Sequence, residues 1–210
     1  MIFEKEFKKY GLENFVAYSG SDITDKLINE CFEIDKGFYS AKYSIESSQI
    51  REIIKKYGQI CFVIVEKTEN KVIGYSYWIP IKTSVFLDFI KKEEMLLNLE
   101  ISQCSSFNEP EINLFSAGEA FLRGYDLQNL HKCVEDLFLN KILTLAEKGI
   151  KIKYIALEGV CSYDNEFLAP KLGLSKGVKK GNSLFYCDKY SPDKLYSDSP
   201  ISKQIAEYYK

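Results

Sequence analysis

The sequence predicts an α/β protein, in which helices flank a central sheet. Three observations predict this class: an apolar hairpin in the first half, a long amphipathic helix set between two strands in the second half, and glycines that end the helices. With 210 residues and 46% hydrophobic content, the chain is large enough for one domain with a substantial core. We therefore expect a single domain over residues 1–190 and a tail at 191–210 that can form a helix.

The first elements alternate between helix and strand. Apolar residues at helical spacing indicate three helices, and a short apolar run indicates a strand between the first two. Ser21 or Asp22 is placed to cap the second helix, and Gly58 follows the third as its stop. In order, the expected elements are a helix at 2–10, a strand at 14–18, a helix whose apolar positions run from 23 to 31, and a helix at 47–57.

The hairpin comes next and is the clearest signal in the chain. Its strands are 59–66 and 72–81, joined by the polar turn 67–71. After it, residues 82–110 form an insertion whose apolar residues indicate a helix. Loops of this length are uncommon unless they have a function, so the insertion is a candidate lid or substrate wall. An extension of the core or a dimer face is an equally good interpretation.

The second half of the chain begins with a strand, a polar loop and a long helix. The strand Ile112–Arg123 leads into the loop Arg123–Asn129, and the helix then runs to Gly149. Apolar side chains recur along this helix every three or four residues, which places one face against a sheet. A helix N-terminus beside a strand end is where α/β proteins hold phosphate-bearing ligands. The elements expected after it are a strand at 152–157, a short helix that ends in Lys171-Leu172-Gly173-Leu174, a strand at 182–187 and a tail helix that begins at Ser199-Pro200.

Composition argues against several classes of function. The net charge of -2 and the pI near 5.7 provide no basic face for non-specific nucleic-acid binding. The six cysteines are scattered without a Cys-x-x-Cys pair, and His131 is the single histidine, so we expect neither a disulfide framework nor a metal site. The N-terminus lacks the apolar run of a signal peptide, and no segment has the ~18 apolar residues of a membrane span. We therefore expect a cytoplasmic protein without membrane or nucleic-acid partners.

The second half of the chain resembles the core of the GNAT-type N-acetyltransferases. The resemblance rests on the element order and on two landmarks, Ala146-Glu147-Lys148-Gly149 and Lys171-Leu172-Gly173-Leu174, and it extends more loosely over residues 14–190. It implies a GNAT-like fold, with a central mixed, mostly antiparallel sheet flanked by helices, in which residues 82–110 are a helical insertion between the third and fourth strands where family members often have only a turn. It also implies acetyl-CoA as cofactor and transfer of its acetyl group to a primary amine, on a small molecule or a peptide, by direct attack on the thioester. A homodimer is compatible with it.

Two other interpretations stay open. The first is a GNAT-like fold that has lost catalysis and serves as a ligand-binding or regulatory module, since function depends on the site rather than on the fold. The second is an unrelated α/β protein whose order of helices and strands coincides by chance.

The family's cofactor motif is degenerate in this chain. In that family, Gln or Arg is followed by two residues, Gly, one residue, and Gly or Ala, and the main-chain amides of this stretch bind the coenzyme A pyrophosphate. Counted from Gln128, the glycine positions fall on His131 and Cys133; counted from Arg123, they fall on Asp126 and Gln128. We prefer the first frame because it leaves about five helical turns before the helix stop. The implied cofactor-binding residues are Phe121, Leu122 and Arg123 on the strand, whose main chain would pair with pantetheine, and Gln128, Asn129, Leu130, His131, Lys132 and Cys133 at the helix start.

Glu119 is the candidate catalytic base. Strand alternation places it on a face that is otherwise apolar, where a carboxylate is unfavourable unless it is paired. The resemblance implies that this glutamate deprotonates the acceptor amine, directly or through water. The alternative is a glutamate at a sheet edge or paired with a lysine. Gly118, beside it, is typical of a bulge or a close approach of backbones, or it is a packing glycine.

Tyr163 is the candidate catalytic acid. The resemblance implies a tyrosine acid in the short helix, four residues before its terminal glycine, but Ala169 occupies that position. Tyr163, at the start of the same helix, is a substitute; a surface or core tyrosine is its alternative. His131 likewise has an alternative, as a solvent-facing residue of the long helix. Cys133 is interpreted as structural, because no second histidine is available as its base.

Overall fold

The computed structural model describes residues 1–38, 47–92, 99–159, 166, 168–174, 177–180, 183–192, 194, 196 and 199–210. The helices and strands within them are, in chain order, β1 (Ile2–Phe3), α1 (Lys5–Lys8), β2 (Phe15–Ser19), α2 (Asp25–Phe38), α3 (Ser47–Tyr57), β3 (Ile60–Glu66), β4 (Lys71–Ile81), α4 (Thr83–Lys92), β5 (Glu111–Phe121), α5 (Leu127–Glu147), β6 (Lys151–Gly159), α6 (Ala169–Lys171), β7 (Gly177–Lys180), β8 (Ser183–Lys189) and α7 (Pro200–Glu207).

The eight strands of the described residues form one mixed sheet in the order β1-β2-β3-β4-β5-β6-β8-β7. The pairing of β5 with β6 is parallel, while β1 with β2, β2 with β3, β3 with β4, β6 with β8 and β7 with β8 are antiparallel. The predicted class, a mixed and mostly antiparallel sheet flanked by helices, is confirmed. The predicted insertion between the third and fourth strands lies between β4 and β5, because β1 adds one strand at the start of the count.

Residues divide into two compact units by their contacts. The first contains residues 1–79, 97–102 and 118–138, and the second contains residues 80–96, 103–117 and 139–210. The division into a domain at 1–190 and a tail at 191–210 stays a prediction.

The core of the first unit is built on β3 and β4. Every residue of β3 is buried, which explains why its sequence is a continuous apolar run rather than an alternation. On one face of β4, the Trp78 ring lies 4.6 Å from that of Phe138 on α5. On the other face, the Tyr75 hydroxyl donates a hydrogen bond to the carboxylate of Asp35 on α2. Helices α2 and α5 therefore cover opposite faces of this strand.

Gly74 is where β4 and the end of β5 approach most closely. A Cβ atom added at Gly74 would lie 2.2 Å from Cδ1 of the Phe121 ring and 2.8 Å from the main-chain oxygen of Ala120. In addition, the amide of Leu122 donates a 2.8 Å hydrogen bond to the carbonyl of Ile73. Because Gly74 has no side chain, the Phe121 ring can lie directly against β4 at this position.

The substitution Gly74→Ala should destabilise the protein. The added methyl group overlaps a main-chain oxygen that cannot rotate away, so we expect a loss of roughly 1–3 kcal/mol in the free energy of unfolding, measured by denaturant titration. Gly37→Ala is the control, because nothing lies within 4 Å of a Cβ at that helical position and alanine favours helices. Equal stability of Gly74→Ala and the wild type would contradict this close approach.

The second unit is held together around Asn113 and the tail helix. Nδ2 of Asn113 donates hydrogen bonds to the carbonyl of Ile81, at 3.3 Å, and to Oγ1 of Thr83, at 3.0 Å. These bonds attach the start of α4 to β5. The tail helix α7 packs through the fully buried Ile205, and the Tyr209 hydroxyl beyond it accepts a 2.6 Å hydrogen bond from the amide of Ile152.

Two predicted helix starts and one strand need correction. The leading helix expected at 2–10 is shorter, because Ile2 and Phe3 pair with β2 and α1 has only four residues. Helix α2 begins at Asp25 rather than after Ser21 or Asp22, since residues 20–22 form a 3₁₀ turn and Oγ1 of Thr24 accepts a 3.4 Å hydrogen bond from the amide of Leu27. The segment at 177–180, where no element was expected, is strand β7.

The hairpin, the insertion helix and the tail helix are confirmed at β3, β4, α4 and α7, although residues 93–98 of the insertion lie outside the described ranges. Ser199 caps α7, as expected, by accepting a 3.2 Å hydrogen bond from the amide of Ile201. In the described part of the chain, no helix combines the length and the apolar character that crossing a membrane requires.

Candidate functional site

Glu119 and His131 lie against each other where β5 meets the second turn of α5. Nδ1 of His131 is 3.4 Å from Oε1 of Glu119, and the two side chains are only 16% and 7% exposed. One partner of this carboxylate is therefore an imidazole. The interpretation of His131 as solvent-facing is wrong, because its ring points back towards the strand.

The ring of Phe121 completes this arrangement. It contacts the ring of His131 edge to face, with centroids 4.6 Å apart and planes at 74°. Glu119 and Phe121 share one face of β5, as the alternation in the sequence predicts, and His131 contacts both. An imidazole that is held beside a buried carboxylate can pass a proton to it or receive one from it, so the pair is a candidate site of proton transfer.

The N-terminus of α5 is capped by Asp126. Oδ1 of Asp126 accepts a 3.2 Å hydrogen bond from the amide of Asn129, and Oδ2 accepts a 2.9 Å bond from Nδ2 of the same residue. The carbonyl of Asp126 accepts a 3.0 Å bond from the amide of Leu130, the first bond of the helical pattern. A carboxylate thus already occupies the anion-favouring end of the helix.

The position of this helix start distinguishes between the two alignments of the cofactor motif, one counted from Gln128 and the other from Arg123. His131 and Cys133 follow the first helical hydrogen bond, so their amides point along the helix and bond within it. Asp126 and Gln128, the glycine positions of the other frame, flank the first turn, where amides can face a ligand. The geometry therefore favours counting from Arg123, which the helix-length argument had ranked second.

The other residues expected to bind a cofactor differ in where their side chains lie. Leu130 and Cys133 are fully buried, and burial raises the pKa of the Cys133 thiol to about 12, which agrees with a structural role. Arg123, Gln128 and Lys132 are exposed, while Leu122 and Asn129 are half-buried. The assignment of these residues to a cofactor stays a prediction.

The end of β5 is a further feature of the site. Its parallel pairing with β6 covers Glu111 to Ser116, whereas the strand itself continues to Phe121. Within the end segment, Gly118 has a φ of +144°, a conformation that favours glycine, and its Cβ position is 3.3 Å from the ring and hydroxyl of Tyr75. The atoms nearest to this Cβ position belong to a side chain, so the contact matches the alternative of a packing glycine rather than a close approach of backbones.

The acid candidate Tyr163 lies outside the described residues, as does Cys161. Ala169, which stands where the resemblance places a tyrosine, is fully buried at the start of α6. In the described ranges there is no group of three or more His, Cys, Asp and Glu residues that could hold a metal ion.

Sequence reasoning missed a second polar cluster, formed by Cys31 and Asp35 of α2 with Tyr75 and Tyr77 of β4. The two tyrosine rings have centroids 4.5 Å apart, and both residues are buried. Burial raises the pKa of the Asp35 carboxyl from 3.8 to about 6, and the hydrogen bond from Tyr75 opposes that rise. A signal existed in the sequence, because Asp35 continues the apolar stripe of Ile28 and Cys31 at helical spacing.

Comparison with known proteins gives a consistent picture at the level of the fold. No protein-family profile matches this sequence, and no curated protein matches it. Among solved structures, the loading GNATL domain of CurA from Lyngbya majuscula is similar, with a TM-score of 0.55 and 11% identity over 84% of this chain and 97% of that one. The chain has the fold of the GNAT-type N-acetyltransferases.

Two further structures with this GNAT-type fold are similar over most of their length. FeeM, an N-acyl amino acid synthase from uncultured soil microbes, has a TM-score of 0.52 and 11% identity over 90% of this chain and 97% of that one. The NatC complex bound to Gag peptide and CoA has a TM-score of 0.52 and 11% identity over 85% of this chain and 99% of that one. At this identity, the likeness defines the fold, while the site has to be argued from this chain's own residues.

Proposed function

We propose that this protein is an N-acyltransferase that moves an acyl group, in the simplest case acetyl from acetyl-CoA, to a primary amine on a small molecule or peptide. The single observation that carries the proposal is the buried Glu119 carboxylate beside His131, at the end of a strand that continues beyond its parallel pairing with β6. The GNAT-type fold supports it, since FeeM and the CoA-bound NatC complex share that fold.

In this proposal, Glu119 accepts the proton that an acceptor ammonium must lose before its nitrogen becomes a nucleophile. His131 orients the carboxylate through the 3.4 Å contact, and Phe121 holds the imidazole ring in place. Because both side chains are largely buried, water competes weakly for the carboxylate. When bound, acetyl-CoA would supply the acyl group as a thioester, whose C–S bond breaks as the C–N bond forms, so that coenzyme A leaves as the thiol. Tyr163 stays the proposed acid.

The start of α5 offers one test of whether coenzyme A suits this chain. The Asp126 carboxylate accepts a hydrogen bond from the amide of Asn129, so a diphosphate bound at this helix start would have to displace it or lie beside it. Arg123 and Lys132 would add positive charge, and Gly124, with a φ of +99° and no atom within 4 Å of its Cβ position, leaves open space before the helix. Main-chain groups of Phe121 and Arg123 would pair with the pantetheine arm, whereas the amide of Leu122 is already bonded to the carbonyl of Ile73.

Asp126 then competes with the diphosphate, so Asp126→Asn should bind coenzyme A more tightly. Asparagine caps helices as well as aspartate does but carries no charge, and we expect roughly threefold to tenfold higher affinity with little change in stability. Isothermal titration with coenzyme A measures this. Asp88→Asn, which neutralises an exposed carboxylate on α4, is the control. Weaker or unchanged affinity in Asp126→Asn would show that the diphosphate lies elsewhere.

The activity itself is tested by release of free thiol from acetyl-CoA in the presence of a panel of primary amines and of peptides with free N-termini. Thiol release that depends on an amine supports the transferase. Binding of coenzyme A without any thiol release would instead favour a ligand-binding or regulatory module, the second candidate. The observation in its favour is that α5 already carries an anion of its own at its N-terminus. If the protein neither binds coenzyme A nor releases thiol, both candidate functions are refuted.

A further inference from the structure

The Asp35 carboxylate is a polar group that the proposed proton transfer does not use. It is half-buried on α2, and its hydrogen-bond partner in the described part of the chain is the hydroxyl of Tyr75. None of the ion pairs found among the described residues includes Asp35. A partly desolvated carboxylate with a neutral partner is unfavourable, and a cation from outside would relieve it.

Asp35 and Tyr75 lie beside the same part of β5 as the proposed base, Glu119, but on the other face of the strand. The Cβ position of Gly118 points at the ring and hydroxyl of Tyr75, both 3.3 Å away, and the next residue, Glu119, points the opposite way towards His131. Gly118 therefore leaves room for the Tyr75 hydroxyl directly against the strand that carries the base.

We infer that Asp35 and Tyr75 form a binding site for an organic ammonium ion. The carboxylate would accept one or two of the three N–H donors of a primary ammonium, while the Tyr75 hydroxyl, which donates to the same carboxylate, would hold it in place. A metal ion fits this site less well, because divalent cations need several oxygen ligands and the described residues offer no group of three acidic or metal-binding side chains. That this ammonium is a second cationic group of the acyl acceptor, apart from the amine that Glu119 deprotonates, rests on the proposed function.

The raised pKa of Asp35 is consistent with this assignment. Burial makes the ionised form unfavourable in the free protein, with a pKa of about 6, so an ammonium that binds the ionised form should lower this pKa. The neighbouring titratable groups are Cys31 and Tyr77. Burial raises the pKa of Cys31 to about 12 and that of Tyr77 well above its usual value, so both are neutral wherever Asp35 titrates.

The test uses the full chain without any thioester, so that it does not depend on catalysis. Four amines serve as probes at pH 8: n-butylamine, cadaverine, spermidine and a short peptide amide with a free N-terminus, with n-butanol as the neutral counterpart. Isothermal titration should show that the wild type binds at least one amine but not the alcohol. We expect that amine to bind Asp35→Asn at least tenfold more weakly and Tyr75→Phe less severely so.

The matched control is Glu33→Gln, which removes an equally charged side chain from the same helix at a position where it is 70% exposed. It should bind the amine as the wild type does. A wild type that binds none of the four amines, or an Asp35→Asn protein that binds them equally well, overturns the inference.

The two proposals can fail separately. Amine binding through Asp35 without acyl transfer would refute the proposed function and leave this site standing. Acyl transfer with an unaltered KM for the amine in Asp35→Asn would refute the site and leave the function standing.

Discussion

Glu119→Gln should abolish most of the acyl-transfer activity while leaving the affinity for coenzyme A intact. The amide keeps the shape and can still contact Nδ1 of His131, but it cannot take a proton from the acceptor ammonium. General-base catalysis typically contributes 10²–10⁴-fold, so we expect kcat to fall by at least about 100-fold. Steady-state kinetics with varied amine and acetyl-CoA give kcat, and titration gives the coenzyme A affinity.

Glu111→Gln is the control for this prediction. It removes a carboxylate from the same strand, where the side chain is 59% exposed and pairs with Lys153 at 3.3 Å, so kcat should stay close to that of the wild type. A parallel loss of kcat and of coenzyme A affinity in Glu119→Gln would instead show that the Glu119–His131 contact only holds α5 against β5. Full activity in Glu119→Gln would exclude a base role.

Asp35→Asn should make the protein more stable at neutral pH. The folded-state pKa of about 6 lies above the ordinary value of 3.8, so the folded protein binds more protons than the unfolded chain between these values. Stability from this group is therefore lost as pH rises through that window. At 1.36 kcal/mol for each pH unit, the penalty above pH 6 is at most about 3 kcal/mol, and less where water reaches the carboxylate.

Asparagine removes that penalty and still accepts the hydrogen bond from Tyr75. Denaturant unfolding at pH 4, 5, 6, 7 and 8 measures the difference between variant and wild type, which should be near zero at pH 4 and grow to its full value by pH 7. A purely structural carboxylate would give the opposite result, a variant that is less stable at neutral pH. Greater stability together with weaker amine binding would identify a group kept for function at the expense of stability.

Much of the fold could be predicted from the sequence because its strongest signals are local. The hairpin of β3 and β4 has two apolar runs joined by a polar turn, and α7 carries its own cap at Ser199. The errors fell where a partner distant in sequence decides the outcome. Ile2 and Phe3 satisfy a helical spacing, yet pairing with β2 draws them into the sheet.

The candidate site was predictable in part for the same reason. Strand alternation placed Glu119 and Phe121 on one face, but it could not show that His131 would contact both of them. Asp35 was overlooked because the sequence does not show which residue of the sheet pairs with a single carboxylate in the apolar stripe of a helix. In the structure this residue is Tyr75. The preferred frame at Gln128 depended on helix length, whereas the cap at Asp126 determines where the helix begins.

Strand β5 presents Glu119 to α5 on one side, and on the other side Gly118 leaves room for Tyr75 of β4, which bonds to Asp35 of α2. Under the proposed function, the residues that select the acceptor and the residues that perform the chemical step then lie on different helices and can be changed independently. Libraries built on α2 would retune which amines are accepted, and libraries built on the first turns of α5 would retune turnover. Substitutions on one of these helices would not require compensating substitutions on the other.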